Sequence, residues 1–187
     1  FRIKKLDASL AIFIGIMLIS IFGSTVYPVN PLAMVGPPET PPSERFPLGT
    51  DSWGRDILAL LLHGIKNSLL IGVTAALIAL AIGVIIGVIS GFKGGLTDSS
   101  LMLLTDVVLV LPSILIMILI AAYLKERNPF FVSLIIGVTS WPWVARAVRS
   151  QMLSLKSREF VYMSRMAGLR DIKIIIEDLL PNMASYV

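Results

Sequence analysis

Between Lys66 and Lys93 the chain reads Asn67-Ser-Leu-Leu-Ile-Gly-Val-Thr-Ala-Ala-Leu-Ile-Ala-Leu-Ala-Ile-Gly-Val-Ile-Ile-Gly-Val-Ile-Ser-Gly-Phe92, without a charged residue. As an α-helix, which rises about 1.5 Å per residue, this stretch would be roughly 39 Å long. The hydrocarbon core of a bilayer is about 30 Å thick, so such a helix can cross it with some tilt. We therefore predict a membrane-spanning helix between the two lysines.

The composition of the whole chain agrees with this prediction. Of 187 residues, 56% are apolar and 15% are charged, and the mean hydropathy is +0.86, whereas soluble domains are about 45–50% apolar and about 25% charged. At about 20 residues per span, the chain has room for about four or five spans. We predict an all-α, polytopic helix bundle forming a single transmembrane domain, residues 1–187, with spans at about 8–28, 67–92, 99–123 and 129–147 and the start of a further span near 174–187.

The chain begins with Phe1 rather than Met and ends at Val187 inside an apolar segment, so we expect it to lack one or two C-terminal spans. Its 187 residues include no cysteine, which excludes disulfides and cysteine-based metal or redox sites among them. His63 is the one histidine, so a site with several histidine ligands is excluded as well. We expect no metal site and no catalytic residue in this chain.

The basic N-terminus and the apolar run that follows it predict an uncleaved first span. A signal peptide is the alternative, but the run exceeds the usual length of about 7–15 residues. Seven prolines then predict an external loop at 28–65. Within this loop, Thr50 or Asp51 is expected to cap a short helix that runs from residue 52 or 53 through Leu62 at the outer membrane surface.

Gly83, Gly87 and Gly91 recur every four residues and therefore share one face of the second span. In lipid, small residues at this spacing let another helix approach closely, so we predict helix packing at this face. A pore-lining role is the alternative. The residues from Ser90 to Gly95 are predicted to form a tight turn.

Proline and acidic residues mark the third span. Pro112 is expected to kink it, because proline removes a backbone hydrogen bond. Asp98 is expected to cap its start. Asp106 lies about two turns further on, and an acid inside a span indicates a functional site by default. We favour pairing of Asp106 with a basic residue over contact with a substrate.

Basic residues are distributed unequally between the two predicted sides of the membrane. Eleven lie on the side of the N-terminus and of the interval from Arg146 to Lys173, and five lie on the side of the loop at 28–65 and of the predicted outer turn at 125–128. The positive-inside rule therefore places the N-terminus in the cytoplasm. Trp141 and Trp143 are predicted to form part of an aromatic belt at the interface.

The longest polar and basic interval runs from Arg158 to Pro181. It is expected to lie outside the lipid, because each arginine or lysine at the bilayer centre is unfavourable by several kcal/mol. Within it we predict a short helix near Glu159 to Ala167, a turn at Gly168 and a helical run closed by Pro181. A partner outside the membrane is the expected use of such an interval.

This interval resembles the cytoplasmic loop shared by the permease subunits of bacterial ABC importers. The pattern of that loop is Glu-Ala-Ala, three residues, Gly, nine residues, Ile, one residue, Leu-Pro. The spacing is kept here, although the first three letters and the isoleucine differ. The matching positions are Tyr162-Met163-Ser164, Gly168, Asp178 and Leu180-Pro181.

A second block is similar to the segment before the second span in the C-type permease subunits of dipeptide, oligopeptide and nickel importers. It reads Leu48-Gly49-Thr50-Asp51-x-x-Gly54-Arg55-Asp56. The local alternative for this block is a Gly-Asp turn capped by Asp51, with Arg55 paired to a nearby acid. Two further stretches resemble parts of the same permeases, namely Thr105-Asp106-x-x-Leu-x-Leu-Pro112 and Trp141-Pro142-x-x-Ala145-Arg146.

The resemblance implies a permease of the type I ABC importer kind, with a cytoplasmic coupling-helix loop at 148–173. It implies import of dipeptides or oligopeptides, with nickel or another small solute as the alternative cargo. The implied partners are a second permease subunit, two cytoplasmic ATPase subunits that bind ATP and Mg, an extracytoplasmic substrate-binding protein and membrane lipid, but no nucleic acid. The residues implied to couple to the ATPase are Glu159, Tyr162, Met163, Ser164, Gly168, Leu180 and Pro181.

Other classes of function fit the sequence less well. The 187 residues contain no Gly-x-x-x-x-Gly-Lys-Ser/Thr motif, so nucleotide would have to be bound by another polypeptide and no cofactor is expected in this chain. An intramembrane aspartyl enzyme using Asp98 and Asp106 would need a matched acidic partner for each. A scaffold whose basic interval binds anionic lipid would leave Gly168 and Leu180-Pro181 unexplained.

Overall fold

A computed structural model describes residues 2–124 and 128–184 of the chain. This part is helical, and it contains no β-strand beyond two isolated bridges. Its elements are α1 (Arg2–Val26), α2 (Ile57–Lys93), α3 (Gly95–Val110), α4 (Ser113–Leu124), α5 (Pro129–Lys156), α6 (Glu159–Met166), α7 (Asp171–Lys173), a π-helix (Ile174–Leu179) and α8 (Leu180–Ala184).

Three stretches of the described residues are long and apolar enough to cross a membrane, namely Ser9–Val26, α2 and α5. The bent pair of α3 and α4 makes a fourth if it counts as one span. The predicted all-α, polytopic membrane fold is therefore confirmed. Residues 125–127 of the predicted outer turn and residues 185–187 of the predicted last span lie outside the described part.

The internal contacts group the chain into two compact units, Phe1–Gly72 and Val73–Val187. The boundary between them falls within α2.

In the first unit, α2 begins at Ile57, ahead of the predicted span, and is continuous past Lys66. The prediction of a separate surface helix capped by Thr50 or Asp51 was wrong. Asp56 caps the helix instead, because its Oδ1 accepts a hydrogen bond from the backbone N–H of Ala59 at 3.1 Å. At 37 residues, α2 is about 55 Å long, well beyond the thickness of a hydrocarbon core.

In the second unit, the stripe of Gly83, Gly87 and Gly91 faces α5. A Cβ atom added at these glycines would lie 2.5 Å from Cβ of Val144, 2.6 Å from the carbonyl oxygen of Ala145 and 2.7 Å from Cβ of Met152. Glycine is therefore required at each position for the two helix backbones to approach this closely.

The predicted turn between the second and third spans is shorter than expected. Helix α2 continues to Lys93 and α3 begins at Gly95, so Gly94, with a φ of 69°, is the one residue between them. A positive φ of this size is accessible to glycine without steric penalty. As a result, Asp98 lies inside the first turn of α3 and does not cap it, which corrects the prediction.

Pro112 breaks the third span rather than bending it slightly. Helices α3 and α4 meet at 74°. Leu111, directly before the proline, is extended, with a φ of −72° and a ψ of 128°, because the proline ring disfavours the helical conformation of the preceding residue. Helix α4 then starts with hydrogen bonds from Leu115 and Ile116 to the Pro112 carbonyl at 3.0 and 3.2 Å.

The core of the second unit joins α2, α5, α6, the π-helix and α8. Its buried members are Val88, Phe92, Val148, Met152, Leu155, Val161, Ile174, Leu179 and Met183. Trp141 is buried as well, whereas Trp143 is 68% exposed. The prediction that both tryptophans belong to an interfacial belt was therefore wrong for Trp141, whose ring is covered by the protein.

Candidate functional site

The polar interval after α5 begins with a short helix, one side of which packs on the core. Arg158 is extended, and α6 follows from Glu159 to Met166. Val161 is 1% exposed within the core cluster, and Phe160 is partly buried against it. Because only this inner edge of α6 is buried, the rest of the helix surface is available to a partner.

The outer face of α6 is apolar at several positions. Tyr162, Met163 and Met166 are 59%, 65% and 90% exposed. Tyr162 and Met163 thus turn away from the core instead of packing on it. A short helix that presents a tyrosine and two methionines outward has the composition of a protein-docking surface, since aromatic residues and methionine are enriched at interfaces.

Gly168 ends α6 in a left-handed turn. Its φ is 78°. The N–H of Gly168 donates to the carbonyl of Arg165 at 3.0 Å, and the N–H of Leu169 donates to that of Ser164 at 3.2 Å. These two bonds form a Schellman cap, in which glycine is favoured because the position has a positive φ.

Ser164 joins α6 to the π-helix. Its hydroxyl donates to Oδ2 of Asp178 at 2.6 Å, and both residues are partly buried. These are two of the four positions at which this chain departs from the loop pattern of ABC importer permeases, which has alanine and isoleucine there. The two departures therefore contact each other.

The π-helix is followed directly by Leu180-Pro181. Within it, the N–H of Leu180 donates to the carbonyl of Ile175, five residues earlier. Pro181 has no N–H to donate, and its ring would clash with the carbonyl four residues before it, which favours a widened turn. The side-chain amide of Asn182 donates to the Asp178 carbonyl at 2.7 Å. Leu180 packs partly against the core, and Pro181 is exposed.

Ion pairs connect α3 and α5 near this interval. The guanidinium of Arg149 donates through Nε and Nη2 to the two carboxylate oxygens of Asp98 at 2.5 and 2.6 Å, and the Ser90 hydroxyl donates to the same carboxylate. Bidentate pairs of this kind are the strong ones. Arg146 pairs with Asp106 at 2.5 Å, and both side chains are about half exposed. The structure therefore agrees with the prediction that Asp106 pairs with a basic residue.

Two further cationic side chains contact the C-terminal end of α2. The ammonium of Lys156 donates to the carbonyls of Gly91 and Phe92, each at 3.1 Å. The guanidinium of Arg165 lies 5.5 Å from the centre of the Phe92 ring, which is within cation–π range. Helix α6 is therefore linked through Arg165 to the C-terminal end of α2.

The motif from Gly49 to Asp56, in the first unit, is built around two glycines with positive φ. Gly49 has a φ of 79°, and an added Cβ would lie 2.4 Å from the Thr40 carbonyl oxygen. Gly54 has a φ of 72°, and an added Cβ would lie 2.2 Å from the Gly36 carbonyl oxygen. Both positions exclude side chains by conformation and by space.

Three polar residues of this motif, Thr50, Asp51 and Arg55, bind their own loop. The Thr50 hydroxyl donates to the Pro37 carbonyl at 2.6 Å. Oδ1 of Asp51 accepts from the N–H groups of Trp53 and Arg55, and Oδ2 accepts from Nε of Arg55 at 2.7 Å. The local alternative, in which Asp51 caps the turn and Arg55 pairs with an acid, therefore describes these contacts, and the acid is Asp51 itself.

Asp56, the last residue of the motif, is 1% exposed. Besides capping α2, its carboxylate accepts a hydrogen bond from the Tyr27 hydroxyl at 2.6 Å. This hydrogen bond, together with burial and the Asp56 charge, raises the pKa of Tyr27. The end of α1 is thereby joined to the start of α2 by a phenol that stays protonated at neutral pH.

Among residues 2–124 and 128–184, no group of three or more acidic or histidine side chains is placed to hold a metal ion. Nδ1 of His63 lies 3.0 Å from the carbonyl oxygen of Ala59, one turn earlier in α2.

Sequence reasoning missed several contributors to these contacts. Gly137 of α5 faces α2, where an added Cβ would lie 2.6 Å from Cβ of Ile78. Its spacing of eight from Ala145 placed both small residues on one helical face and was a usable signal. The partners of Asp98 and Asp178 carried no such signal, because Arg149 and Ser164 lie far from them in sequence.

Comparison with known proteins gives a consistent result. Residues 83–187 match the family described as binding-protein-dependent transport system inner membrane component. The chain is 36% identical over 185 residues to the oligopeptide transport system permease protein OppC of Bacillus subtilis, covering 97% of this chain and 60% of the relative. It is 37% identical over 148 residues to OppC of Mycobacterium tuberculosis H37Rv, covering 79% and 51%.

A third relative is the dipeptide transport system permease protein DppC of Bacillus subtilis, which is 40% identical over 144 residues, covering 76% of this chain and 44% of the relative. The chain thus spans 60% or less of the length of these relatives.

Proposed function

We infer the function of this chain from the family to which it belongs, the inner membrane components of binding-protein-dependent transport systems. We propose that it is the C-type transmembrane subunit of an ATP-driven importer that moves dipeptides or oligopeptides across the cytoplasmic membrane. The names of the relatives, which are oligopeptide and dipeptide permeases, support this cargo.

The observation that carries the proposal is the exposure of α6. This helix has Val161 buried and Tyr162, Met163 and Met166 exposed, and it lies in the interval whose spacing matches the loop of ABC importer permeases. We propose that the exposed face enters a groove of an ATPase subunit. Motion of that subunit then reaches the core of the permease through Val161 and the residues packed around it.

The remaining partners follow from the same proposal. ATP and Mg are bound by two separate ATPase subunits on the cytoplasmic side, where the N-terminus also lies. A second permease subunit completes the translocation path, and a substrate-binding protein delivers cargo to the external side. This chain contributes coupling between two packings of the bundle rather than chemistry.

The apolar outer surface of the second unit supports the proposal that this unit lies in the membrane beside another protein subunit. Leu77, Ile85, Leu103 and Leu119 are 59–70% exposed. In water, so many uncovered large side chains would be unfavourable. Lipid chains and the second permease subunit would cover them.

Transport is tested with the full-length protein produced together with the permease, ATPases and binding protein encoded beside it. The purified complex is placed in proteoliposomes, and uptake of a labelled dipeptide, a labelled oligopeptide and nickel is measured with and without ATP. ATP-dependent uptake of a peptide supports the proposal. A protein that purifies alone, or a complex that imports nickel and no peptide, overturns it.

Coupling is tested at Gly168, where an added Cβ meets no atom within 4 Å, so a substitution acts through the positive φ and the partner rather than through clashes in this chain. Asparagine tolerates the left-handed conformation, whereas a β-branched residue is strained there by about 1–2 kcal/mol, roughly a five- to thirtyfold loss of the correct turn. We expect Gly168→Val and Gly168→Trp to lose uptake while ATP hydrolysis continues, and Gly168→Asn to retain uptake.

Gly72 is the matched control, since it also has open space around it but lies inside a helix with an ordinary φ. Gly72→Ala is expected to transport normally. Unchanged transport by Gly168→Trp would count against the coupling role.

A further inference from the structure

The hydrogen bond between Ser164 and Asp178 stands apart from the other contacts of α6. It joins two side chains, one from α6 and one from the π-helix. Oγ of Ser164 lies 2.6 Å from Oδ2 of Asp178, and both residues are partly buried. A hydrogen bond from a hydroxyl to a carboxylate is shorter and stronger than one between two neutral groups. Partial burial also reduces competition from water.

Ser164 is held by its backbone at the same time. Its carbonyl accepts the N–H of Leu169 in the cap that Gly168 makes possible. The side chain of Ser164 lies one turn after buried Val161, on the inner edge of α6. A displacement of α6 therefore moves the Ser164 hydroxyl together with the cap.

Asp178 is held at the other end of the bond. It lies in the π-helix directly before Leu179, which is 0% exposed. Its backbone carbonyl accepts the Asn182 amide at 2.7 Å, just beyond Leu180-Pro181. The carboxylate and the carbonyl of one residue thus link α6 to α8 across a helical segment that Pro181 widens.

We propose that Ser164 and Asp178 form a polar latch that positions α6 on the π-helix and carries its displacement to Leu180-Pro181. This inference rests on the proposed function, because the displacement would come from the ATPase. Both members of the polar latch are positioning residues. At the same positions the loop pattern of ABC importer permeases has alanine and isoleucine, which would make an apolar contact between the same two elements.

The chemistry of the pair predicts a specific pattern among variants. Ser164→Ala leaves a partly buried carboxylate without its donor, and Asp178→Ile leaves the hydroxyl against an apolar side chain. Replacing both partners by apolar groups is far less harmful than replacing one. The double variant S164A/D178I is therefore expected to recover what each single variant loses, and Ser164→Thr, which keeps the hydroxyl, is expected to retain function.

The first measurement is amide hydrogen exchange in the complete transporter. We expect each single variant to raise exchange over α6 and the π-helix by about fivefold or more, and the double variant to return it towards the wild type. The matched control is Lys173→Ala. It removes a 3.7 Å ion pair with Glu177 on the same segment, where both side chains are more than half exposed, and such pairs contribute little.

The second measurement is the number of peptide molecules imported per ATP hydrolysed. A lower ratio in both single variants, with recovery in the double variant and in Ser164→Thr, supports transmission through the polar latch. Equal exchange in Ser164→Ala and the wild type overturns the latch itself. Altered exchange with an unchanged ratio overturns transmission. A wild-type complex without uptake refutes the proposed function, and hydrogen exchange still decides the latch.

Discussion

In the loop before α2, the Thr50 hydroxyl and the Asp51 carboxylate bind backbone groups of the same loop. In the interval from Arg158 to Pro181, by contrast, α6 presents Tyr162, Met163 and Met166 outward. Two glycines make the difference measurable. Gly54 and Gly168 have nearly the same φ, 72° and 78°. An added Cβ would lie 2.2 Å from a backbone oxygen at Gly54 and would meet nothing within 4 Å at Gly168.

One kind of turn therefore serves two purposes in this protein. In the loop the glycine allows two backbone segments to touch, so the motif builds a fixed structure. At the end of α6 the glycine allows only a change of direction, so the surface around it stays open. Resemblance to a family motif alone did not distinguish these two uses.

Substitution of Gly54 and of Gly168 by alanine tests the difference between the two turns directly, and Gly54→Ala should have the larger effect on stability. Gly54→Ala combines a strained φ with a backbone clash and should lower the free energy of unfolding by about 3 kcal/mol or more. Gly168→Ala has the strain alone and should lower it by about 1 kcal/mol. Thermal unfolding of the full-length protein in detergent measures both. Equal losses would show that the surroundings of the two glycines do not matter.

A smaller effect is expected from the carboxylate that begins α2. Asp56→Ala leaves the Tyr27 hydroxyl and the Ala59 N–H without their partner, which should destabilise the protein by about 2 kcal/mol. Asp56→Asn keeps an acceptor and should lose less. In α6, Glu159→Ala removes an exposed acid from the first turn and should change stability by less than about 0.5 kcal/mol. A larger loss at Glu159 than at Asp56 would contradict the contrast between the two regions.

A still smaller effect is a pH dependence of stability in the loop before α2. Desolvation raises the pKa of Asp51, but hydrogen bonds from the Arg55 side chain and from the N–H groups of Arg55 and Trp53 outweigh it and hold this pKa below its usual range. The stabilisation is therefore present above the unfolded pKa of about 4 and is lost as the pH falls through the lower, folded value.

Asp51→Asn should consequently unfold at a lower temperature than the wild type at pH 7, and the two midpoints should converge as the pH is lowered below about 4. A difference that stays constant between pH 7 and pH 3 would show that charge at Asp51 does not stabilise the loop. The same titration on Glu159→Ala serves as the comparison from α6.

Local patterns predicted some features of the fold well and others poorly. The short helix near Glu159 to Ala167 was expected, and α6 occupies Glu159–Met166 with Gly168 in the turn. Helix boundaries near Asp56 and Asp98 were misplaced. Helix α2 begins after Asp56, and α3 begins at Gly95, ahead of Asp98. The partner of Asp98, Arg149, lies 51 positions away and could not be predicted from local spacing.

The candidate site shows the same division. Its spacing and its glycine were visible in the sequence, because a positive φ and a helix end depend on a few neighbouring residues. The hydrogen bond from Ser164 to Asp178 could not be predicted from the sequence. The two residues are 14 positions apart, and only the folded structure shows that they contact each other.

The sequence by itself determined that this is a helical membrane protein, because burial in lipid depends on composition and on the length of uncharged runs. It also indicated that the glycine stripe of α2 serves helix packing and that Gly168 forms a turn. Only the tertiary structure shows which helix the glycine stripe meets, which arginines Asp98 and Asp106 bind and which face of α6 is exposed. Those outcomes depend on contacts between residues distant in sequence, for which local periodicity and spacing carry no information.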